Sequence, residues 1–314
     1  MSKYSIVIPV YNSEKSLREL YVRIKSVFEN VIKEDYELIF VDDFSKDDSF
    51  NIIYQMSKQD NRIVAIQLAR NCGQHAALLC GFNYVHGDYI ITMDDDLQHP
   101  PEQIPRLIEG IQSDDNYDVI IGRYDTKKHN ILRNWGTKVS SYISYKMYGK
   151  PKQLELTSFR LIKRFVVEEL CSMSVSTPRI GNMIIQINGR VGNVLVEHDE
   201  RKYGKSGYSF GRLVKDLINN VITNSSFPLQ CVKYIGGGSI ILSFLLGGYY
   251  FIKYLVIGTS VVGWTSLFLA VLMLGGLILC SIGIVGDYLL RILNESKKVP
   301  QFFVRKVISE GMEK

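Results

Sequence analysis

Apolar and polar positions recur with two different periods over the first 123 residues. Short apolar runs at 4–10, 36–41, 62–68, 89–93 and 118–122 are bounded by turn residues and read as buried strands. Between them the spacing turns helical. A helix of about 15 residues follows the first run, with Leu17, Leu20, Ile24 and Val27 on one face, and others fall at 46–58, 74–85 and 102–112. Ser45, with Asp48 three residues on, predicts a capping box for the second helix. Strands alternating with helices predict a mostly parallel α/β sheet wrapped on both faces, whose ligands lie beyond the carboxyl ends of the strands.

The pattern loosens after residue 123. Residues 127–148 read as a basic, Tyr-rich helix, 154–160 as a short strand or loop re-entering the core, 161–172 as a helix and 190–197 as a strand. Residues 198–209 form a basic, hydroxyl-rich loop. The segment 210–226 then carries Leu213, Leu217, Ile218 and Val221 on one face and Arg212 and Lys215 on another, as an interfacial helix does.

Two stretches change the class of the chain. Residues 234–252 and 254–286 contain no charged residue. The first is long enough for a hydrocarbon core of roughly 30 Å. The second is long enough for a turn near Gly258 to Gly263 and a second span from about Trp264 to Val285. Lys253 alone marks the connection, whereas Arg212, Lys215, Arg291, Lys297, Lys298, Arg305 and Lys306 flank the other side. The positive-inside rule therefore puts the N-terminal domain and the tail in the cytoplasm. The expected division is a catalytic domain at 1–209, an interfacial helix and linker at 210–232, two transmembrane helices at 233–290 and a tail at 291–314. Residues 299–305 read as a short β segment able to pair with the sheet edge of a neighbouring subunit, which would make a homo-oligomer.

Composition adds limits. A net charge of +5, from 37 basic and 32 acidic residues, is too mild to imply nucleic acid. The five cysteines are scattered without metal spacing and read as buried thiols of a reducing compartment. Residues 1–10 begin directly with a strand pattern and show no secretory signal.

The candidate chemistry concentrates where the fourth apolar run meets Asp94, Asp95 and Asp96, followed by Gln98, Pro100 and Pro101. Three consecutive acids repel one another unless a cation sits among them. Alternation along a strand would point Asp94 and Asp96 together and Asp95 away. Two hard oxygen ligands with Gln98 nearby suit Mg²⁺ or Mn²⁺ holding a diphosphate; the alternative is an acidic surface turn. A calcium loop is disfavoured, because the sixth position counted from Asp94 is His99 and the twelfth is Pro105. Tyr11, Asp42, Asp43, Arg70, Asp94 and Asp96 all fall at predicted carboxyl ends of strands. Neither GxGxxG after the first strand nor GxxxxGK[ST] occurs, so a phosphate-bearing ligand would be held by a metal and side chains.

These residues resemble glycosyltransferase family 2, in its polyprenyl-phosphate branch. The likeness rests on Ile8-Pro9-Val10-Tyr11-Asn12, Val41-Asp42-Asp43-x-Ser45, Arg70-Asn71-x-Gly73-Gln74-His75-x-Ala77 and Asp94-x-Asp96-Leu97-Gln98-x-Pro100-Pro101-Glu102. It continues through Arg201-x-x-Gly204-x-Ser206, Pro228-Leu229 and Gly283-x-x-Gly286-Asp287-Tyr288. The resemblance implies a GT-A fold, a nucleotide-sugar donor (a UDP-sugar first) and inverting transfer to polyprenyl phosphate at a bacterial inner membrane. It implies that Pro9, Tyr11 and Asp43 hold the base and that Arg70 helps at the nucleotide, with Asp42 and Gln74 also in the donor site. Asp94, Asp96 and Gln98 would hold the metal, and Arg201 and Ser206 would meet phosphate near the membrane. An acceptor phosphomonoester, with a second pKa near 6, needs little help from a base. Asp96 is therefore the leading catalytic candidate and Glu155 the second. The alternative activity is that of a membrane-anchored polysaccharide glycosyltransferase. Three departures stand out: Phe44 replaces a usual Gly or Asn, Glu155 and Ser158 occupy an Asp-x-Gly-Asp-Phe-Arg pattern, and Gly207 replaces a usual Lys beside Lys205.

Overall fold

The computed structural model describes residues 2–113, 117–124, 154–173, 178–187, 190–197, 263–296 and 300–309, with a few isolated positions besides. Strands β1 (Tyr4–Val10) and β2 (Tyr36–Asp42) are buried along their whole length, which places them at the centre of a sheet covered on both faces. They pair in parallel with each other, β2 with β3 (Ile63–Leu68), and β1 with β4 (Tyr89–Thr92). Strands β5 (Val119–Arg123), β6 (Arg160–Lys163), β7 (Val191–Leu195), β8 (Val304–Ser309) and β9 (Met312–Glu313) complete a nine-stranded sheet. Its order is β7-β5-β6-β4-β1-β2-β3-β8-β9.

Helices α1 (Leu17–Val27), α2 (Ser49–Gln59) and α4 (Ile104–Gln112) cover one face, where Leu20, Ile24, Ile53 and Leu107 meet Ile6, Ile8 and Phe40. Helices α3 (Gln74–Phe82), α5 (Arg164–Ser172) and α6 (Ile180–Ile187) cover the other, where Ala77, Val166 and Ile180 meet Val7, Ile39 and Val41. Among the described cysteines all three are free thiols; Cys80 is buried, and Cys72 and Cys171 are half-buried.

Four expectations are corrected. The sheet is mixed, because β6 lies antiparallel between β4 and β5 and β8 lies antiparallel to β3. The helix expected from residue 161 starts at Arg164, since Leu161, Ile162 and Lys163 are paired with β4. The capping box does not form. The Ser45 hydroxyl accepts the Asn12 backbone N–H instead, and α2 starts at Ser49 with no side-chain cap. The tail pairs within its own chain: the edge it occupies is β3, so the same pairing chemistry is satisfied in cis.

The contacts divide the chain into one unit of Met1–Gly207 with Lys298–Lys314, and a second of Tyr208–Lys297. Residues 298–314 fall in the first unit, where β8 pairs with β3. In the second unit α7 (Trp264–Ser296) runs 33 residues. Its sequence carries no Asp, Glu, Lys or Arg from Trp264 through Gly286. Counted over residues described in full, no helix is long and apolar enough to cross a membrane. The expected helices at 127–148 and 210–226, and most of 234–252, lie outside the described residues.

Ile308 is buried against the face that holds Ile53, Met56 and Ala65. Ile308→Ala should therefore cost about 2–4 kcal/mol, read as a lower urea midpoint. An unchanged midpoint would mean that the tail is not part of the fold.

Candidate functional site

Every loop leaving the carboxyl ends of β1 to β4 converges on one edge. At Val7 the backbone carbonyl accepts the Met93 N–H, the last contact with the β4 segment. Pro9, two residues on, faces the same way beyond the end of β4, so its missing N–H leaves no ladder bond unmade. Tyr11 follows, 46% exposed, and the Asn12 amide side chain accepts the Lys46 N–H at 2.8 Å, tying the first loop to the second.

Asn12, Phe44 and Leu97 have φ of 54°, 60° and 62°, so three of these loops turn through the left-handed region without glycine. That region favours Gly or Asn because a larger side chain crowds the following carbonyl. Phe44 is the costly member, and Phe44→Gly should raise stability by about 0.5–1 kcal/mol in urea unfolding. A drop in stability would show that the exposed ring makes contacts outweighing its strain.

Asp42 and Asp43 are both buried and serve the loops. Asp42 accepts the Ser45 N–H and the Gln67 side chain. Asp43 accepts the Cys72 N–H at 2.6 Å and the Gly73 N–H at 2.8 Å, one on each carboxylate oxygen. Burial raises the pKa of both, against these hydrogen bonds. Asp43, expected at the base, thus first of all shapes the loop that carries Arg70 and Gln74. Gly73, at φ 87°, makes the turn into α3.

The acids at β4 are sorted differently from the strand prediction. The strand ends at Thr92, so alternation no longer governs residues 94–96. Asp95 still separates from its neighbours, because it accepts the Tyr11 backbone N–H at 3.1 Å. Burial pushes it up to about 7, with Asp94 and Asp96 adding to the rise and the bonds from Ser13 and Tyr11 opposing it. Asp96 accepts the Gln98 backbone N–H at 3.1 Å, closing the turn.

Asp94 is the most heavily engaged. Gln74, the first residue of α3, donates to its Oδ1, and the Ser158 hydroxyl donates to Oδ2 at 2.6 Å. His99 Nε2 lies 3.3 Å from the same Oδ2 and 3.0 Å from the Ser158 oxygen. The His99 ring is buried and stacks with both Tyr124 and Phe159, and its Nδ1 is hydrogen-bonded to the Tyr124 hydroxyl. Burial disfavours the Asp94 carboxylate, but bonds from His99 and Ser158 and the charge of Arg160 outweigh it and hold the pKa below the usual range. Asp94 is therefore an anion with a fixed orientation.

The site brings together Tyr11, Gln74, Asp94, Asp95 and Asp96 directly, and Asp42 and Asp43 as supports. Arg70 lies on the same edge, its guanidinium 5.4 Å from the Phe303 ring centre. Glu155 is held through its backbone, which exchanges hydrogen bonds with the Asn193 side chain. The side chain that reaches Asp94 from this segment is Ser158 rather than Glu155. Arg201 and Ser206 lie outside the described residues. His99, Tyr124 and Ser158 are the members that the sequence did not single out for the site. In the sequence Ser158 is marked only as a departure from the family pattern, and His99 only as a histidine inside an acid- and proline-rich turn.

Comparison with known proteins identifies the family and the fold. The family described as glycosyl transferase family 2 matches residues 5–171. Undecaprenyl-phosphate 4-deoxy-4-formamido-L-arabinose transferase of Photorhabdus laumondii is 33% identical over 314 residues, covering 99% of this chain and 96% of that one. The enzyme of the same name from Klebsiella pneumoniae strain 342 is 31% identical over 313 residues, covering 99% and 95%. Glucosyl-3-phosphoglycerate synthase from Mycobacterium tuberculosis, solved with Mn²⁺ and UDP-glucose, superposes with a TM-score of 0.53 at 15% identity. That match covers 72% of this chain and 79% of the other, and the shared fold is the GT-A fold.

Proposed function

The chain belongs to glycosyl transferase family 2, and from that premise we propose that this glycosyltransferase moves a sugar from a nucleotide-diphosphate donor to undecaprenyl phosphate. The observation that carries the reading is the ionised, oriented Asp94 beside Asp96 at the carboxyl edge of the sheet, in a chain that aligns end to end with undecaprenyl-phosphate sugar transferases. A UDP-sugar is the donor we favour.

The donor set suits a divalent cation, Mg²⁺ or Mn²⁺. Asp94, Asp96 and the Gln98 amide offer only oxygen ligands, and the first is kept charged. Among the described residues no group of three or more His, Cys, Asp or Glu is placed to hold a metal unaided. The donor diphosphate would then supply the remaining ligands, as is usual for Mg²⁺. When bound, the cation supplies charge neutralisation for the departing diphosphate.

The chain's own residues do the rest. Gln74, Ser158 and His99 fix the direction of the Asp94 carboxylate, so it does not reorganise during transfer. Tyr11 and Pro9 border the space where a base would lie, and Arg70 offers a cation to the nucleotide. The acceptor oxygen is already largely anionic at neutral pH. A strong general base is therefore unnecessary, and Glu155 ranks below Asp96 as a catalytic candidate. Arg201 and Ser206 are assigned to the acceptor phosphate, on the sequence likeness alone.

The membrane reading extends this proposal. Two spans, 234–252 and about 264–285, would anchor the enzyme in the bacterial inner membrane with the catalytic domain in the cytoplasm. The oligomer expected from the tail is not proposed, since β8 pairs with β3 of its own chain. The test is transfer of radiolabelled sugar from a panel of UDP- and GDP-sugars to undecaprenyl phosphate, with Mn²⁺, Mg²⁺ or chelator. A metal-dependent, chloroform-soluble product supports the reading and identifies the sugar. Transfer to a soluble glycan, with no lipid product, moves the chain to the anchored polysaccharide enzymes.

A further inference from the structure

The edge that holds the acids also holds a buried cation with two of its three guanidinium nitrogens unpaired. Arg160, the first residue of β6, is paired between Thr92 of β4 and Ile121 of β5. It is 4% exposed, and its Nε and Nη1 atoms are buried with no hydrogen-bond partner. Its direction follows from the strand. Ile162, two residues on, packs on the α3, α5 and α6 face, and side chains two apart share a face. Arg160 Nη2 accordingly lies 3.8 Å from where a Cβ on Gly181 of α6 would be.

Two more basic side chains stand at this corner. His75 is the second residue of α3, and its Nδ1 is also buried and unpartnered. Arg179 immediately precedes α6. Arg179 stands two residues before Gly181, the position that Arg160 Nη2 approaches, and burial, followed by the charges of Arg160 and Arg179, lowers the His75 pKa to about 4. Neither α3 nor α6 has an acidic residue in its first turn. A guanidinium with two nitrogens buried and unpaired is costly, and Asp94, itself turned to the donor site, is the carboxylate whose charge reaches it. A second anion would remove that cost.

We propose that Arg160, with His75, Arg179 and the N-terminus of α3, forms a phosphoryl-oxyanion site beside Asp94 that is filled during turnover. The chemistry is that of a phosphate oxygen held by a guanidinium, imidazole N–H and helix amides. Two phosphates meet at this edge in the proposed reaction, the donor diphosphate and the acceptor phosphomonoester. The inference rests on that reaction for their identity.

The test measures binding rather than turnover, so it stands apart from the success of the transfer assay. Full-length protein in detergent is titrated with UDP plus Mn²⁺ and separately with farnesyl phosphate. Wild type is compared with Arg160→Met and with Arg179→Met, the half-buried position, should the first variant not fold. At least a tenfold loss for UDP alone assigns the site to the donor. The same loss for farnesyl phosphate alone assigns it to the acceptor. Folded variants that bind both ligands within twofold of wild type overturn the proposal. Failure of wild type to glycosylate undecaprenyl phosphate, with these losses intact, would overturn the proposed function and leave the anion site standing.

Discussion

Asp96→Ala should reduce sugar transfer by at least about 10²–10³-fold while the protein still folds. Asp96 sits in the turn after β4, half-exposed, and its carboxylate accepts a local backbone bond from Gln98 at 3.1 Å. Losing such a bond costs about 1 kcal/mol, a shift of a few degrees in melting temperature. Losing a charge at the diphosphate removes stabilisation where negative charge builds during transfer. The two effects separate in one experiment, with turnover measured beside thermal unfolding. Near-normal turnover in a folded variant would remove Asp96 from the mechanism.

Asp43→Ala should fail in the opposite way, through structure. Both carboxylate oxygens are spent on the N–H groups of Cys72 and Gly73. Removing them leaves two backbone donors without their acceptor, at about 1–3 kcal/mol each. The loop that carries Arg70 and Gln74 would loosen, and Gln74 would release Asp94. The expected result is a clear loss in the urea midpoint, together with at least a tenfold loss in UDP affinity. Asp43→Asn retains one acceptor oxygen and should fall between. An alanine variant with wild-type stability but no UDP binding would instead make Asp43 a direct contact to the base.

Much of this arrangement was legible in the residues, for definite reasons. β1 and β2 are apolar throughout because both faces are covered, and such runs stand out in any reading. The gathering of Tyr11, Asp42, Asp43, Arg70, Asp94 and Asp96 at one edge follows from strand ends alone. What escaped notice depends on contacts distant in sequence. The four residues of β6 are too few to show a period, and they are strand only because β4 and β5 flank them. Ser45 has the signature of a cap, but a loop from β1 takes its hydroxyl first. Asp95 was expected to point away by strand alternation; it does so because Tyr11, 84 residues earlier, supplies an N–H. His99 finds Tyr124 and Ser158 across the sheet edge, and nothing local announces either. The tail needed a free sheet edge, and that of its own β3 was available.

One titration addresses the donor site directly. UDP is titrated by calorimetry into the purified protein with Mn²⁺ and again with chelator, using wild type and Asp94→Asn. Binding should require Mn²⁺ and fall at least tenfold in the variant. Equal affinity in all four titrations would contradict a metal-diphosphate site at the end of β4.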